Sequence, residues 1–436
     1  MLSDLAFALA ERGDRVSVIT SRQRYDDADA ALVAHENIGG VDIHRVATTR
    51  FGRHALLGRA VDYLTFYATA AWKLWRIARK GDVVVAKTDP PMLSVIAAPV
   101  AWARGVPLVN WLQDIFPEVA IASGLGKSRL FQLICRGLGK VRTWTLRSAI
   151  ANVVLGERMA SKVERLGVAP GRITIIPNWA DGTLIKPVAH EENDVRKAWK
   201  LSAGDFVVGY SGNLGRTHDF RTILDAISLI ERGETAHASS RKTSSGATGP
   251  RANSAVSQPR IIWLFIGGGA GYRQLKDEVR RRGLSTVQFH DYHPRKRLAD
   301  SLSAADVHLV SLNPELEGLI VPSKYYGIAA AGRPAIFIGD REGEIAQVLA
   351  RDKSGLAVSL GDGETLAELV LQLAADPDRA QTMGRNARAA FLAHYDVGLS
   401  VQRWIDLLEG IAGGAAMASR SMKTLEAVIQ SESDLR

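Results

Sequence analysis

The sequence is poor in the residues that build covalent or metal-bound frameworks. It holds one cysteine, Cys135, in 436 residues, which excludes a disulfide scaffold and any cysteine-ligated zinc or iron–sulfur centre. No apolar run approaches the ~20 residues that a membrane-spanning helix requires; the best stretch, Met92–Ala103, is short and carries Pro99. The opening MLSDLAFALAERGDR has acidic residues and no small-residue cleavage site, so it does not read as a secretory signal and a cytoplasmic protein is expected. Acidic side chains are outnumbered, 46 against 55 basic, for a formal charge of +9. Such an excess describes partners rather than fold, and suits nucleic acid, anionic lipid or phosphorylated substrates. No zinc finger, RNA-recognition signature or sustained basic helix accompanies it, so nucleic acid is not an expected partner.

What is present is a globular composition, 46% hydrophobic, arranged as short β-branched runs between longer amphipathic stretches. Apolar runs fall at Val16–Thr20, Val83–Ala86, Leu108–Leu112, Ile150–Leu155 and Ile173–Ile176, then at Phe206–Tyr210, Ile261–Ile266, Val287–Phe289, Val307–Ser311 and Ala335–Ile338. Near-continuous apolar strands interleaved with helices mark parallel sheets covered on both faces. So many strands exceed one ordinary sheet, which predicts two doubly wound α/β domains, broken in the polar stretch Pro187–Asp205. The expected boundaries are 1–187, 188–390, and a C-terminal helix packing back with a tail over 391–436. Arg232–Pro259 is rich in Ser, Ala, Gly and Thr and reads as a disordered insertion without chemistry.

The start is irregular. A doubly wound domain opens with a strand, whereas this chain opens in a helix, Leu2–Arg12, running through Gly13 into Val16–Thr20. The first domain is therefore expected to lack its opening strand. That strand is normally central, so its neighbours would be left without ladder partners.

Three segments could carry chemistry. In GYSGNLGRTHDF, from Gly209, a strand ends in Ser211-Gly212-Asn213-Leu214-Gly215 before a helix. Glycines there either admit a ligand to the backbone, with Arg216 and His218 adding positive charge, or simply make a tight turn. The run IIWLFIGGGAGY repeats the geometry with Gly267-Gly268-Gly269. Two glycine-tipped strand ends point to one carboxyl edge, where open α/β sheets bind ligands. Further on, Glu315 and Glu317 precede Ser323-Lys324-Tyr325-Tyr326-Gly327 at a helix start. Lys324 suits a diphosphate clamp, and nearby carboxylates suit sugar or ribose hydroxyls.

These segments in this order resemble the C-terminal half of the retaining GT4 family of GT-B glycosyltransferases. The likeness is to the subgroup of bacterial surface-polysaccharide assembly, such as the fucosamine transferase-like proteins. Further resemblance lies in IIPNWAD at Ile175, HDYHPRKRLADSLSAADVHLVSL at His290 and WLQDIFPEVAIASGLG at Trp111. The likeness implies a GT-B fold of two Rossmann-like domains, with a nucleotide-sugar held mainly by the second, the acceptor by the first, and chemistry in the cleft between them. It places Gly212 against the donor diphosphate, with Asn213 and His218 where the family often has basic phosphate contacts, so that Arg216 or Lys324 would supply the charge. Gly267, Gly268 and Tyr292 join the donor-binding set. Of the family's paired glutamates, Glu317 stands at the first position and Tyr325 at the second, with Glu344 of the DREGEIAQ turn a substitute. Gln113 replaces the His that often precedes Asp in the first domain; Asp114 follows it and is expected to face sugar or acceptor, or else to cap the helix after Pro117. Asp114, Lys324 and Glu317 are thus the expected catalytic set.

The resemblance implies no metal and no cofactor, and no DxD-like carboxylate pair stands where one would be expected. Retention by front-face attack, with the leaving phosphate oxygen taking the acceptor proton, would need no strong nucleophile–base pair. A nucleotide-sugar epimerase on the same fold, or an inactive nucleotide-sugar-binding remnant, is the alternative. Acceptors in such a family are often polyprenyl-diphosphate-linked. The stretches Arg59–Lys80 and Ser128–Arg147 mix aromatics with basic residues and read either as helices contacting an anionic inner membrane face or as ordinary domain helices.

Overall fold

The structure, a computed structural model, describes residues 1–22, 32–49, 51, 56–124, 128–215, 219–234, 259–418 and 428–430. The chain divides into two compact units. One comprises Met1–Asn178, Gly318–Val321 and Val397–Arg436, the other Trp179–Glu317 and Pro322–Asp396. Most of the expected insertion, residues 235–258, lies outside the described residues.

The first unit runs α1 (Leu2–Glu11), β1 (Val16–Ser21), β2 (His35–Ile38), β3 (Val41–Val46), α2 (Leu56–Ile77), β4 (Val84–Lys87) and α3 (Ser94–Arg104). It continues through β5 (Leu108–Trp111), α4 (Glu118–Ala122), α5 (Arg129–Ser148), β6 (Ala151–Val154), α6 (Glu157–Arg165) and β7 (Ile173–Ile175). Strands β4, β5 and β6 are buried at every position, as a sheet sandwiched between helices requires. Helices α2 and α3 close one core around Phe66, Leu74, Leu93 and Ala97.

The second unit contains α7 (Asp194–Ala198), β8 (Asp205–Asn213), α8 (Arg221–Arg232), β9 (Arg260–Gly268), α9 (Tyr272–Arg282), β10 (Val287–His290), α10 (Leu298–Ser303) and β11 (Val307–Ser311). After these come α11 (Lys324–Ala330), β12 (Ala335–Gly339), α12 (Glu344–Arg351), β13 (Gly355–Ser359), α13 (Gly363–Ala375) and α14 (Pro377–His394). Its six parallel strands are ordered β10-β9-β8-β11-β12-β13, the arrangement of a dinucleotide-binding sheet. The order reverses between β8 and β11, and ligands bind at the carboxyl ends of such a switch point.

The chain then returns to the first unit as α15 (Val397–Ala418) and β14 (Val428–Gln430). Trp404 of α15 packs on Trp111, with ring centroids 4.6 Å apart. Strand β14 corrects one expectation. The first sheet is ordered β2-β3-β1-β14-β4-β5-β6-β7, so the central position is not empty. Val428 and Ile429 pair in parallel with Val18 and Ile19 on one side and with Val85 and Ala86 on the other. Strands β1 and β4 thus find their ladder partners in a segment far along the chain.

Candidate active site

Adjacent strands bring the two glycine tips of the second unit together. Gly212 pairs with Gly267 and Asn213 with Gly268 in the β8–β9 ladder. Leu214 N–H donates to Gly268 O at 2.8 Å, and Gly271 N–H to Leu214 O at 2.9 Å. The chain can take this path only because side chains are absent. Gly212 and Gly267 have φ of +114° and +131°, and a Cβ on Gly267 would lie 2.5 Å from Gly212 O. A Cβ on Gly269 would lie 2.0 Å from Asn213 Oδ1, so Asn213 is laid across that backbone. The Tyr292 ring, 60% exposed, approaches the positions a Cβ would take on Gly267 and Gly268 to 3.1 and 3.3 Å.

Lys324 points into the same place from the start of α11, on the other side of the switch point. Its Cε lies 3.9 Å from the Cβ position of Gly212. Its Nζ sits 3.8 Å from the centroid of the Tyr210 ring and is buried with no hydrogen-bond partner. Burial pushes the Lys324 pKa down to about 7, because the charged form has lost its water. A buried ammonium beside a ring face and exposed backbone is poised for an anion that would restore its charge. The Ser211 hydroxyl at the end of β8 is likewise buried without a partner.

The remaining expected residues fare differently. Arg216 and His218 lie outside the described residues. Tyr325 turns away from the glycine tips into the core, its hydroxyl 3.3 Å from Ser354 Oγ and its ring against Tyr326 and Tyr395. It does not extend a hydroxyl to a donor. The Glu317 carboxylate accepts the Glu344 backbone N–H at 2.8 Å, and its other oxygen is 2.5 Å from the Cβ position of Gly343. Glu317 and Glu344 are thus brought together, with Glu317 holding the first turn of α12.

In the first unit a second polar cluster forms after β4 and β5. The Thr88 hydroxyl accepts the backbone N–H groups of Gln113 at 2.8 Å and Asp114 at 3.3 Å. Ile115 N–H donates to Leu319 O at 2.9 Å, and Asp114 bridges to Ile320. Asp114 Oδ1 and Gln113 Nε2 are buried without partners. Burial first, and then the neighbouring Asp89 charge, raises the Asp114 carboxyl to about 7, against the Thr88 hydrogen bond and Lys87. Asp114 does not cap α4, whose N-cap position is taken by Pro117 with no side-chain hydrogen bond. Asp89, Thr88 and Lys87 escaped the sequence reading. Lys87 ends β4 and Thr88 and Asp89 follow it, positions that strand periodicity could have flagged.

Comparison with known proteins decides the family of reactions. A family described as glycosyl transferase 4-like domain matches residues 1–179, and one described as glycosyl transferases group 1 matches residues 191–390. The chain is a glycosyltransferase. Over 323 residues, 74% of this enzyme and 73% of its relative, it is 27% identical to a probable glycosyltransferase, WbjE, of Pseudomonas aeruginosa. It is 25% identical over 315 residues, 70% and 68% of the two chains, to WcaI of Escherichia coli, a putative colanic acid biosynthesis glycosyl transferase. The structure of Anabaena HepE in complex with UDP-glucose superposes with a TM-score of 0.66 at 16% identity, covering 94% of each chain. The enzyme has the GT-B fold, with two Rossmann-like domains.

Proposed function

We propose that this enzyme moves a sugar from a nucleoside-diphosphate sugar to a lipid-linked polysaccharide precursor, with retention at the anomeric carbon. The observation that carries the donor half is Lys324, a buried amine without a hydrogen-bond partner beside two paired glycine tips. A diphosphate there would accept from the backbone and from Lys324, which would stabilise the charge gathering on the leaving phosphate. The bond from the anomeric carbon to the phosphate oxygen breaks while the acceptor oxygen bonds on the same face. The acceptor proton passes to the departing phosphate oxygen. The HepE structure, solved with UDP-glucose, supports the donor class. The name of the WcaI relative supports a polysaccharide product, and placement in the fucosamine transferase-like subgroup belongs to the same proposal.

Asp114, in the acceptor-side unit, is proposed to meet the acceptor hydroxyl. The reading expects transfer to survive chelation of divalent ions. The test is to incubate the enzyme with donor and a short polyprenyl-diphosphate acceptor, and to read the anomeric configuration of the product by NMR. An inverted product, or sugar isomerised without transfer, refutes the proposal.

A further inference from the structure

The outer layer of the first unit carries an apolar surface that the chemistry above does not use. Helix α3 packs between α2 and α5, and all three expose large apolar side chains. Trp102 of α3 is 86% exposed and Trp72 of α2 is 64% exposed. On α5, Leu130, Leu133, Ile134, Val141 and Trp144 are all exposed and recur on one side of the helix, opposite the buried Cys135, Arg142 and Leu146. A folded domain gains nothing by leaving such a stripe in water.

The charges on these three helices are basic except for one. Helix α5 carries Arg129, Arg136, Lys140, Arg142 and Arg147 and no acidic residue. Of these, Arg142 is buried and paired with Glu118, while Arg136, Lys140 and Arg147 are exposed. Guanidinium groups flank the tryptophans: Arg76 lies 5.8 Å from the Trp72 ring and Arg104 5.5 Å from the Trp75 ring. Asp62 is the sole acidic residue of the three helices, and its carboxylate is occupied by Thr49 Oγ1 at 2.7 Å and Phe51 N–H at 3.1 Å.

We propose that the outer faces of α2, α3 and α5 together dock this enzyme on an anionic bilayer surface. The proposal rests on the lipid-linked acceptor reading and deepens it, since it says how the acceptor-side unit reaches a substrate held in a membrane. Exposed tryptophan and leucine enter the headgroup boundary, and the basic flank meets anionic headgroups. A second copy of this chain fits the surface less well, because a two-fold pairing would set basic face on basic face. No helix among the described residues is long and apolar enough to cross a membrane, so contact would be at the surface.

The test sediments the full enzyme with phosphatidylcholine vesicles, with and without phosphatidylglycerol, neither containing a polyprenyl acceptor. The expected result is about tenfold more bound protein with the anionic lipid. That excess should be lost in the triple variant Arg129→Glu, Arg136→Glu, Lys140→Glu and reduced by Trp102→Ser, with nucleotide binding in solution unchanged. Equal partition into both vesicles overturns the proposal. So does a concentration-dependent dimer, broken by the same variants, without vesicle binding. Transfer to a detergent-dispersed acceptor is measured in parallel: docking without transfer refutes the acceptor reading alone, and transfer without docking refutes the surface alone.

Discussion

Lys324 and Tyr210 meet at the switch point of the second sheet, the amine nitrogen 3.8 Å from the ring centroid. The lysine begins α11 and the tyrosine lies on β8, so sheet order rather than sequence proximity makes the contact. Tyr210 is buried and offers its π-face, which favours the ammonium form, while loss of water disfavours it. Loss of water lowers the Lys324 pKa to about 7.

Binding a diphosphate should therefore draw a proton onto Lys324. Affinity for a nucleoside diphosphate is expected to fall above pH 7, approaching tenfold per pH unit. Calorimetry at pH 8 in two buffers of different ionisation enthalpy should register proton uptake. Equal heats in both buffers would contradict it. The sign for stability follows from the same shift. With a folded pKa near 7 against the ordinary 10.5, the folded state holds fewer protons than the unfolded state between those values. Stability rises with pH across that window. Lys324→Met should remove the slope and raise the melting temperature at neutral pH, since it takes away an uncompensated buried amine.

The two tip glycines should respond unequally to alanine. In Gly267→Ala the new methyl meets Gly212 O at 2.5 Å with φ at +131°. A loss of ~2–4 kcal/mol in stability and a marked loss of nucleotide affinity are expected. In Gly268→Ala the nearest atom is Tyr292 Cε2 at 3.3 Å, on a largely exposed ring that can yield, so the cost should be under ~1 kcal/mol. Thermal melts and nucleotide titration of both variants check the contrast.

Asp114 should control a pH limb in the neutral range. Its folded pKa near 7 exceeds the ordinary 3.8, so the folded state holds an extra proton between those values and stability falls as pH rises through them. Asp114→Asn should flatten that dependence and stabilise the protein above pH 7. Asp89→Asn removes the second cause of the shift and should move the Asp114 limb of the transfer rate to lower pH. Lys87, which opposes the shift, and Tyr67, which senses both carboxylates, remain in place in that variant. An unmoved limb would mean that Asp89 does not act on Asp114.

Deleting residues 428–436 should cost the first unit its central strand. Strands β1 and β4 would lose their β14 partners, and each backbone group left unpaired costs roughly 1–3 kcal/mol. The expected result is a lower melting temperature and faster exchange of the amides of Val18–Thr20 and Val84–Ala86. Unchanged exchange there would show that β14 contributes nothing to the sheet.

Much of the architecture was legible because buried parallel strands leave apolar runs that helices cannot imitate at that length. Val307–Ser311 appears in the structure as read. The hairpin of β2 and β3 was missed, although Gly39 and Gly40, with φ of +57° and +85°, sit in an Ile-Gly-Gly-Val signature that favours such turns. Strand β14 left no signal, since its place depends on the vacancy between β1 and β4. At the candidate site, glycine pattern and chemistry singled out Gly212, Gly267 and Lys324, which the fold brings together. Spacing alone could not tell that Tyr325 faces the core or that Glu317 accepts the Glu344 N–H, because helix phase and loop path decide those. Periodicity could place Asp89 just past a strand but not beside Asp114, because its influence runs across two strand ends.

The most direct test of the donor site is calorimetric titration of the wild-type enzyme and Lys324→Ala with UDP, GDP and ADP, against the matching nucleosides. The wild type should bind at least one diphosphate and its nucleoside far more weakly. The variant, folded by circular dichroism, should lose at least about tenfold in affinity for that diphosphate and little for the nucleoside. Equal diphosphate affinity in the two proteins would contradict the placement of the pyrophosphate beside Lys324.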